Sequence, residues 1–81
     1  MRVRILIFGE LSHHLSGSLS LKLEEGATVR SIISLLSERA GRNIEGFTVL
    51  VNGRNIELLR GLEMELMDGD LVVFLPPLSG G

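Results

Sequence analysis

Eighty-one residues make one domain with a modest core, and 44% hydrophobic content with a mean hydropathy of +0.35 argues against disorder. The formal net charge is −2, from 8 basic and 10 acidic side chains, so the chain lacks the basic excess that dominates nucleic-acid affinity. There is no cysteine, hence no disulfide, thiol nucleophile or thiolate metal site, and no run nears the roughly 18 apolar residues of a membrane span; the chain reads as cytoplasmic.

The start, Met1 to Phe8, is too briefly apolar for a signal peptide, and Glu10 follows with no small-residue cleavage site. Val3, Ile5 and Ile7 alternate with Arg2, Arg4, Leu6 and Phe8, which predicts a first strand over Arg2 to Phe8 with one buried face. Gly9 through Ser18 reads as the connection of a hairpin. Its second strand alternates Leu19, Leu21 and Leu23 with Ser20, Lys22 and Glu24. Thr28 is placed to cap a helix whose apolar positions Val29, Ile32, Ile33, Leu36 and Ala40 follow i, i+3, i+4 spacing, with Gly41 at its C-terminal stop. Ser31 stands where a full capping box has Glu. Phe47 to Val51 predicts a strand, Asn52-Gly53 a tight turn, and Arg54 to Glu57 a short answering strand. Leu58 to Met67 has no clean period, Asp68-Gly69-Asp70 is a turn, and Leu71 to Leu75 is the last strand. The order β-β-α-β-β, with short additions, is an α+β two-layer domain: a mixed sheet packed on one main helix.

Candidate chemistry is sparse. Asp68 and Asp70 flank a glycine and suit a turn better than a metal or acid/base pair. His13-His14 lies in a loop, and adjacent imidazoles do not share a metal easily without a third ligand. Glu24, Glu25, Glu63 and Glu65 read as solvated faces, and Gly9, Gly17 and Gly26 lack the spacing and lysine of a phosphate loop. No catalytic constellation is present, which favours a carrier over an enzyme.

Two features do suggest function. If the first and last strands are neighbours, Phe8, Val73 and Leu75 point away from the core and form an apolar partner-binding patch; a one-residue register slip would turn the same side chains inward. Beyond residue 75 the chain reads Pro76-Pro77-Leu78-Ser79-Gly80-Gly81. The prolines end the strand and hold the tail off the sheet, and two glycines without Cβ make a thin tip able to enter a narrow active site. A frayed terminus is the bland alternative. The Gly81 carboxylate, ionised above a pKa of roughly 3.3–3.7, is a poor electrophile and needs activation, for which an acyl-adenylate made with ATP would serve. The chain thus divides into a domain over 1–75 and a functional tail over 76–81.

Val51-Asn52-Gly53, the run Leu66-Met67-Asp68-Gly69-Asp70-Leu71-Val72-Val73-Phe74-Leu75 and the tail together resemble the ubiquitin-like β-grasp sulfur carriers, the MoaD/ThiS family. The diproline draws the likeness toward the MoaD type, the molybdopterin synthase small subunit. One departure is the segment after the first strand, often arginine-bearing in such families and here Gly9-Glu10-Leu11-Ser12-His13-His14. The resemblance implies that a MoeB-like, E1-like partner uses ATP to adenylate Gly81 and that a persulfide-derived sulfur displaces AMP. The Gly81 thiocarboxylate would then enter the MoaE-like large subunit and donate sulfur to cyclic pyranopterin monophosphate in molybdenum cofactor biosynthesis. It implies no bound cofactor or metal, and catalytic groups on the partners. Three other readings stay open: a protein modifier joined through Gly81 to lysines, a ThiS-like carrier for thiamine biosynthesis, and an interaction module with an inert tail.

Overall fold

The computed structural model describes residues 1–9, 15, 17–44 and 46–76. Strands β1 (Arg2–Ile7) and β2 (Ser18–Lys22) pair antiparallel, and Val3, Ile5 and Leu21 face one side of the ladder. Met1 and Leu23 extend this hairpin by exchanging backbone hydrogen bonds of 2.8 and 2.9 Å. Helix α1 (Val29–Ala40) begins and ends where its sequence signals lie. The Thr28 N–H donates to Ser31 Oγ at 3.1 Å, and Thr28 Oγ1 accepts from the Ser31 N–H at 3.4 Å. Ser31 therefore closes the capping box itself; its hydroxyl reaches the Thr28 N–H because both residues lie within one turn. At the other end Gly41 and Arg42 donate to the Glu38 and Ser37 carbonyls, a Schellman stop.

Strand β3 (Thr48–Val51) turns through Asn52 and Gly53, at φ +52° and +83°, into β4 (Arg54–Asn55). Two positive φ values match the primed turn that follows the sheet's twist. The segment from Ile56 does not continue as a strand. Asn55 Oδ1 accepts from the Glu57 N–H at 2.9 Å and starts a 3₁₀ turn over Ile56–Leu58, so the fourth strand is shorter than its sequence predicts. A second 3₁₀ turn covers Gly61–Glu63, within the aperiodic stretch. Phe47 lies outside β3 because its N–H closes a turn onto the Ile44 carbonyl at 3.2 Å.

The last strand, β5 (Leu71–Leu75), enters the middle of the sheet. The order is β2-β1-β5-β3-β4, with β5 parallel to β1 and antiparallel to β3. Helix α1 covers one face of this ubiquitin-like β-grasp, pressing Val29, Ile32, Ile33 and Leu36 onto the inward side chains of the sheet. Phe74 and Val72 of β5 sit at the centre, fully buried. Burial of such side chains is worth about 1.5–3 kcal/mol each, so the α1–sheet layer is the main source of stability. Among the described residues no helix is long and apolar enough to cross a membrane.

Candidate functional site

Because β5 runs parallel to β1, the two strands finish side by side. The Phe8 N–H donates to the Phe74 carbonyl at 3.0 Å, which carries the ladder one residue past β1. The chain then bends at Gly9, at φ +84°, a value L side chains rarely adopt. Pro76 lies directly over it: a Cβ on Gly9 would stand 2.7 Å from Pro76 Cγ, closer than real Cβ atoms approach. The bare Cα of Gly9 is thus the seat of the first tail proline, and Pro76 is half-buried against the domain. Sequence reasoning took Gly9 as the start of the hairpin connection and rejected it as part of a phosphate loop. The overlooked signal was a glycine closing the first strand and a proline closing the last.

The uncovered face of the sheet can be read in rows across the strands. One row runs Ser18, Leu6, Val73, Leu50, Asn55, and the next toward the tail pairs Leu75 with Thr48 beside Phe8. Val3, Ile5, Ile7, Val72 and Phe74 all face the core, so the register that places Phe8, Val73 and Leu75 outward is the one observed. Phe8 is 51% exposed; Val73, flanked by Leu6 and Leu50, and Leu75, paired with Thr48, are half-buried. Leu6 and Leu71, outward as the alternation implies, and Leu50 of β3 enlarge the apolar area around Phe8, Val73 and Leu75. Leu50 escaped notice because only the topology reveals that β3 borders β5.

The opposite end of β5 has another character. Asn52 donates through Nδ2 to Asp70 Oδ1 at 2.9 Å and accepts the Leu71 N–H on Oδ1 at 2.9 Å. Asp70, itself buried, accepts the Met67 N–H on Oδ2 at 2.7 Å, and Asp68 Oδ1 accepts the Arg2 N–H at 2.7 Å. The two aspartates are therefore turn-forming, as their spacing suggested, and every one of these carboxylate contacts is to a donor of the fold. Val51-Asn52-Gly53 and Asp68-Gly69-Asp70, distant in sequence, form one clasp.

Among the described residues no group of three or more His, Asp or Glu could hold a metal ion. A cleft of about 320 Å³ opens between α1 and β3, lined among the described residues by Ile33, Phe47, Val49, Ile56, Leu62 and Glu57 with others, none of them cationic. Residues 77–81, and with them Pro77, Leu78, Ser79, Gly80 and Gly81, lie outside the described residues, as do His13 and His14.

The ThiS family model matches residues 5–81. A provisionally named sulfur carrier protein of Archaeoglobus fulgidus is 34% identical, the match covering 80% of this chain and 85% of that one. Two solved structures share the fold at 26% identity. A provisionally named molybdopterin converting factor subunit 1 from Pyrococcus furiosus superposes with a TM-score of 0.81, covering 96% of this chain and 99% of the other. Small archaeal modifier protein 1 from Methanosarcina acetivorans gives 0.80, covering 99% and 96%. The chain belongs to the ThiS family and is a small ubiquitin-like β-grasp protein of the sulfur-carrier type.

Proposed function

We propose that this chain is the small, sulfur-carrying subunit of molybdopterin synthase and that the carboxyl carbon of Gly81 is its reacting atom. The observation that carries the reading is the exit of β5: a proline seated on Gly9, at the margin of an apolar sheet face, leading into Pro77-Leu78-Ser79-Gly80-Gly81. The family match extends through Gly81, and the likeness to a molybdopterin converting factor subunit supports the pathway. A MoeB-like enzyme joins the Gly81 carboxylate to AMP and releases pyrophosphate from ATP. A persulfide-derived sulfur then takes the place of AMP, and the thiocarboxylate passes its sulfur to cyclic pyranopterin monophosphate within a MoaE-like subunit. This chain supplies a binding face and a reactive tip; acids, bases and the nucleotide site belong to the partners.

Conjugation of Gly81 to lysines is the second reading, favoured by the likeness to an archaeal modifier protein. Intact mass of the chain from its native cell separates the two. A species heavier by the exchange of one oxygen for sulfur, dependent on the activating enzyme, is expected for the carrier. Tail remnants on target lysines, with no such species, overturn it, and transfer to a thiazole precursor instead of a pterin moves it to thiamine biosynthesis.

A further inference from the structure

The uncovered face of the sheet is divided by charge as well as by hydropathy. Its half away from the tail carries Arg2 and Arg4 of β1 and Lys22 of β2, all exposed. Arg2 is paired directly with Lys22, while Arg4 lies between Ser20 and Leu71. Like charges directly opposite each other destabilise a strand pair, and among the described residues neither cation of this pair is in a side-chain ion pair. Among the described residues the one ion pair is Arg30–Glu63, at 2.7 Å, formed between α1 and the second 3₁₀ turn. The outward strand positions hold cations, serines, a threonine, an asparagine and apolar residues, but no Asp or Glu. Asp68, beside this edge, has its Oδ1 on the Arg2 backbone N–H. In a chain with a net charge of −2 the outward positions within the strands are thus without acid, and the exposed Glu24 and Asp68 stand just beyond them.

We propose that this face docks on an acidic protein surface: Phe8 and Leu75 enter an apolar pocket, and Arg2, Arg4 and Lys22 meet carboxylates about 13 to 20 Å further along β1. The inference rests on the carrier reading and adds the chemistry of the partner. The cations steer encounter and fix orientation, so that the tail reaches the active site, while the apolar end holds the complex. Nucleic acid fits the face less well. Three cations interrupted by Leu6 and Leu71 neutralise few phosphates, and the remainder of the molecule is net negative.

The test uses the full chain with the E1-like adenylating enzyme of the same cell, read by ATP–pyrophosphate exchange at low and high salt. The double variant Arg4→Glu/Lys22→Glu is expected to lower kcat/KM by about tenfold or more at low salt through KM, with kcat unchanged and the deficit shrinking at high salt. Should the reversal variant melt early, Arg4→Gln/Lys22→Gln is expected to give a smaller deficit of the same kind. Arg4→Lys should keep parental rates, and Ser34→Glu on the exposed side of α1 should show no such KM effect. Parental KM and salt dependence in the reversal variant overturn the docking inference and leave the carrier reading standing. No exchange with the unaltered chain takes down the carrier reading first. A tRNA mobility shift that the reversal abolishes assigns the face to RNA and overturns the acidic partner.

Discussion

The two ends of β5 are built on opposite plans. At Leu71 the strand is fastened by side chains: Asn52 grips the Asp70 carboxylate and the Leu71 N–H at once, and Asp68 ties down Arg2. At Leu75 a proline ring rests on a glycine just past the ladder, next to an exposed phenylalanine. One end spends its polar groups internally, and the other leaves apolar surface unspent. If the proposed function holds, the contrast separates residues that hold the strand in place from those that put it to use, so each end should fail in its own way when altered.

The largest effect is expected at the tip. Deleting Gly81 should abolish sulfur transfer with no change in the unfolding midpoint, because the terminal carboxylate, now on Gly80, falls one residue short of the reacting position while the core is untouched; full transfer by the shortened chain would break the division of labour. Next comes the clasp. Asp70→Ala strands the Met67 N–H and the Asn52 amide, each a donor whose lost partner costs about 1–3 kcal/mol when buried, so urea unfolding should show a loss of that order. Adenylation per folded molecule should stay at the parental level, and an adenylation defect in excess of the unfolded fraction would put the clasp in the functional half.

At the exit end, Phe8→Ala should leave thermal stability within about 0.5 kcal/mol, as at ordinary surface sites, yet weaken association with the adenylating enzyme by about 2 kcal/mol, the size of an interface anchor. Leu75→Ala should do both. Its half-buried side chain makes it part core and part surface, and a stability loss of about 1 kcal/mol alongside weaker binding, measured by melting and titration calorimetry, would show the two roles sharing one residue. The effect on exchange beyond folding is expected to be smallest, yet still discriminating, for Gly9→Val. A branched Cβ at φ +84° strains the backbone by about 1–3 kcal/mol and displaces Pro76. Slower pyrophosphate exchange than Phe8→Ala at matched stability would show that the proline seat matters beyond folding, and an exchange rate equal to the parent's would make Gly9 a purely structural turn.

Local signals carried most of the fold. Thr28 and Gly41 bracket the helix correctly because caps depend on neighbours within one turn, and the alternation in β1 and β5 placed Phe8 and Leu75 on the outer face. What stayed hidden was contact between distant segments. Nothing in Val51-Asn52-Gly53 announces that its amide will meet Asp70, and nothing in Gly9 announces Pro76, since each depends on which strands become neighbours. Ser31 was underestimated for a chemical reason: a hydroxyl can accept the Thr28 N–H as a Glu carboxylate does, though the usual sequence signature omits it. The cations Arg2, Arg4 and Lys22 were legible as residues, but their gathering on one face of the sheet follows only from the strand pairing.

The central position of β5 also imposes an order of events on the newborn chain. β1 and β3 are not neighbours; the slot between them belongs to the last strand to be synthesised. Until Leu75 has left the ribosome, β1 lacks its parallel partner and β3 its antiparallel one, and two apolar strands keep open edges. Pairing Ile5 with Val72 closes a loop of nearly the whole chain, a slow step by topology. A polypeptide that stalls or is cut before β5 therefore has neither a finished sheet nor a tail to present. Under the proposed carrier function, integrity of the domain becomes a precondition for offering the tip to any enzyme.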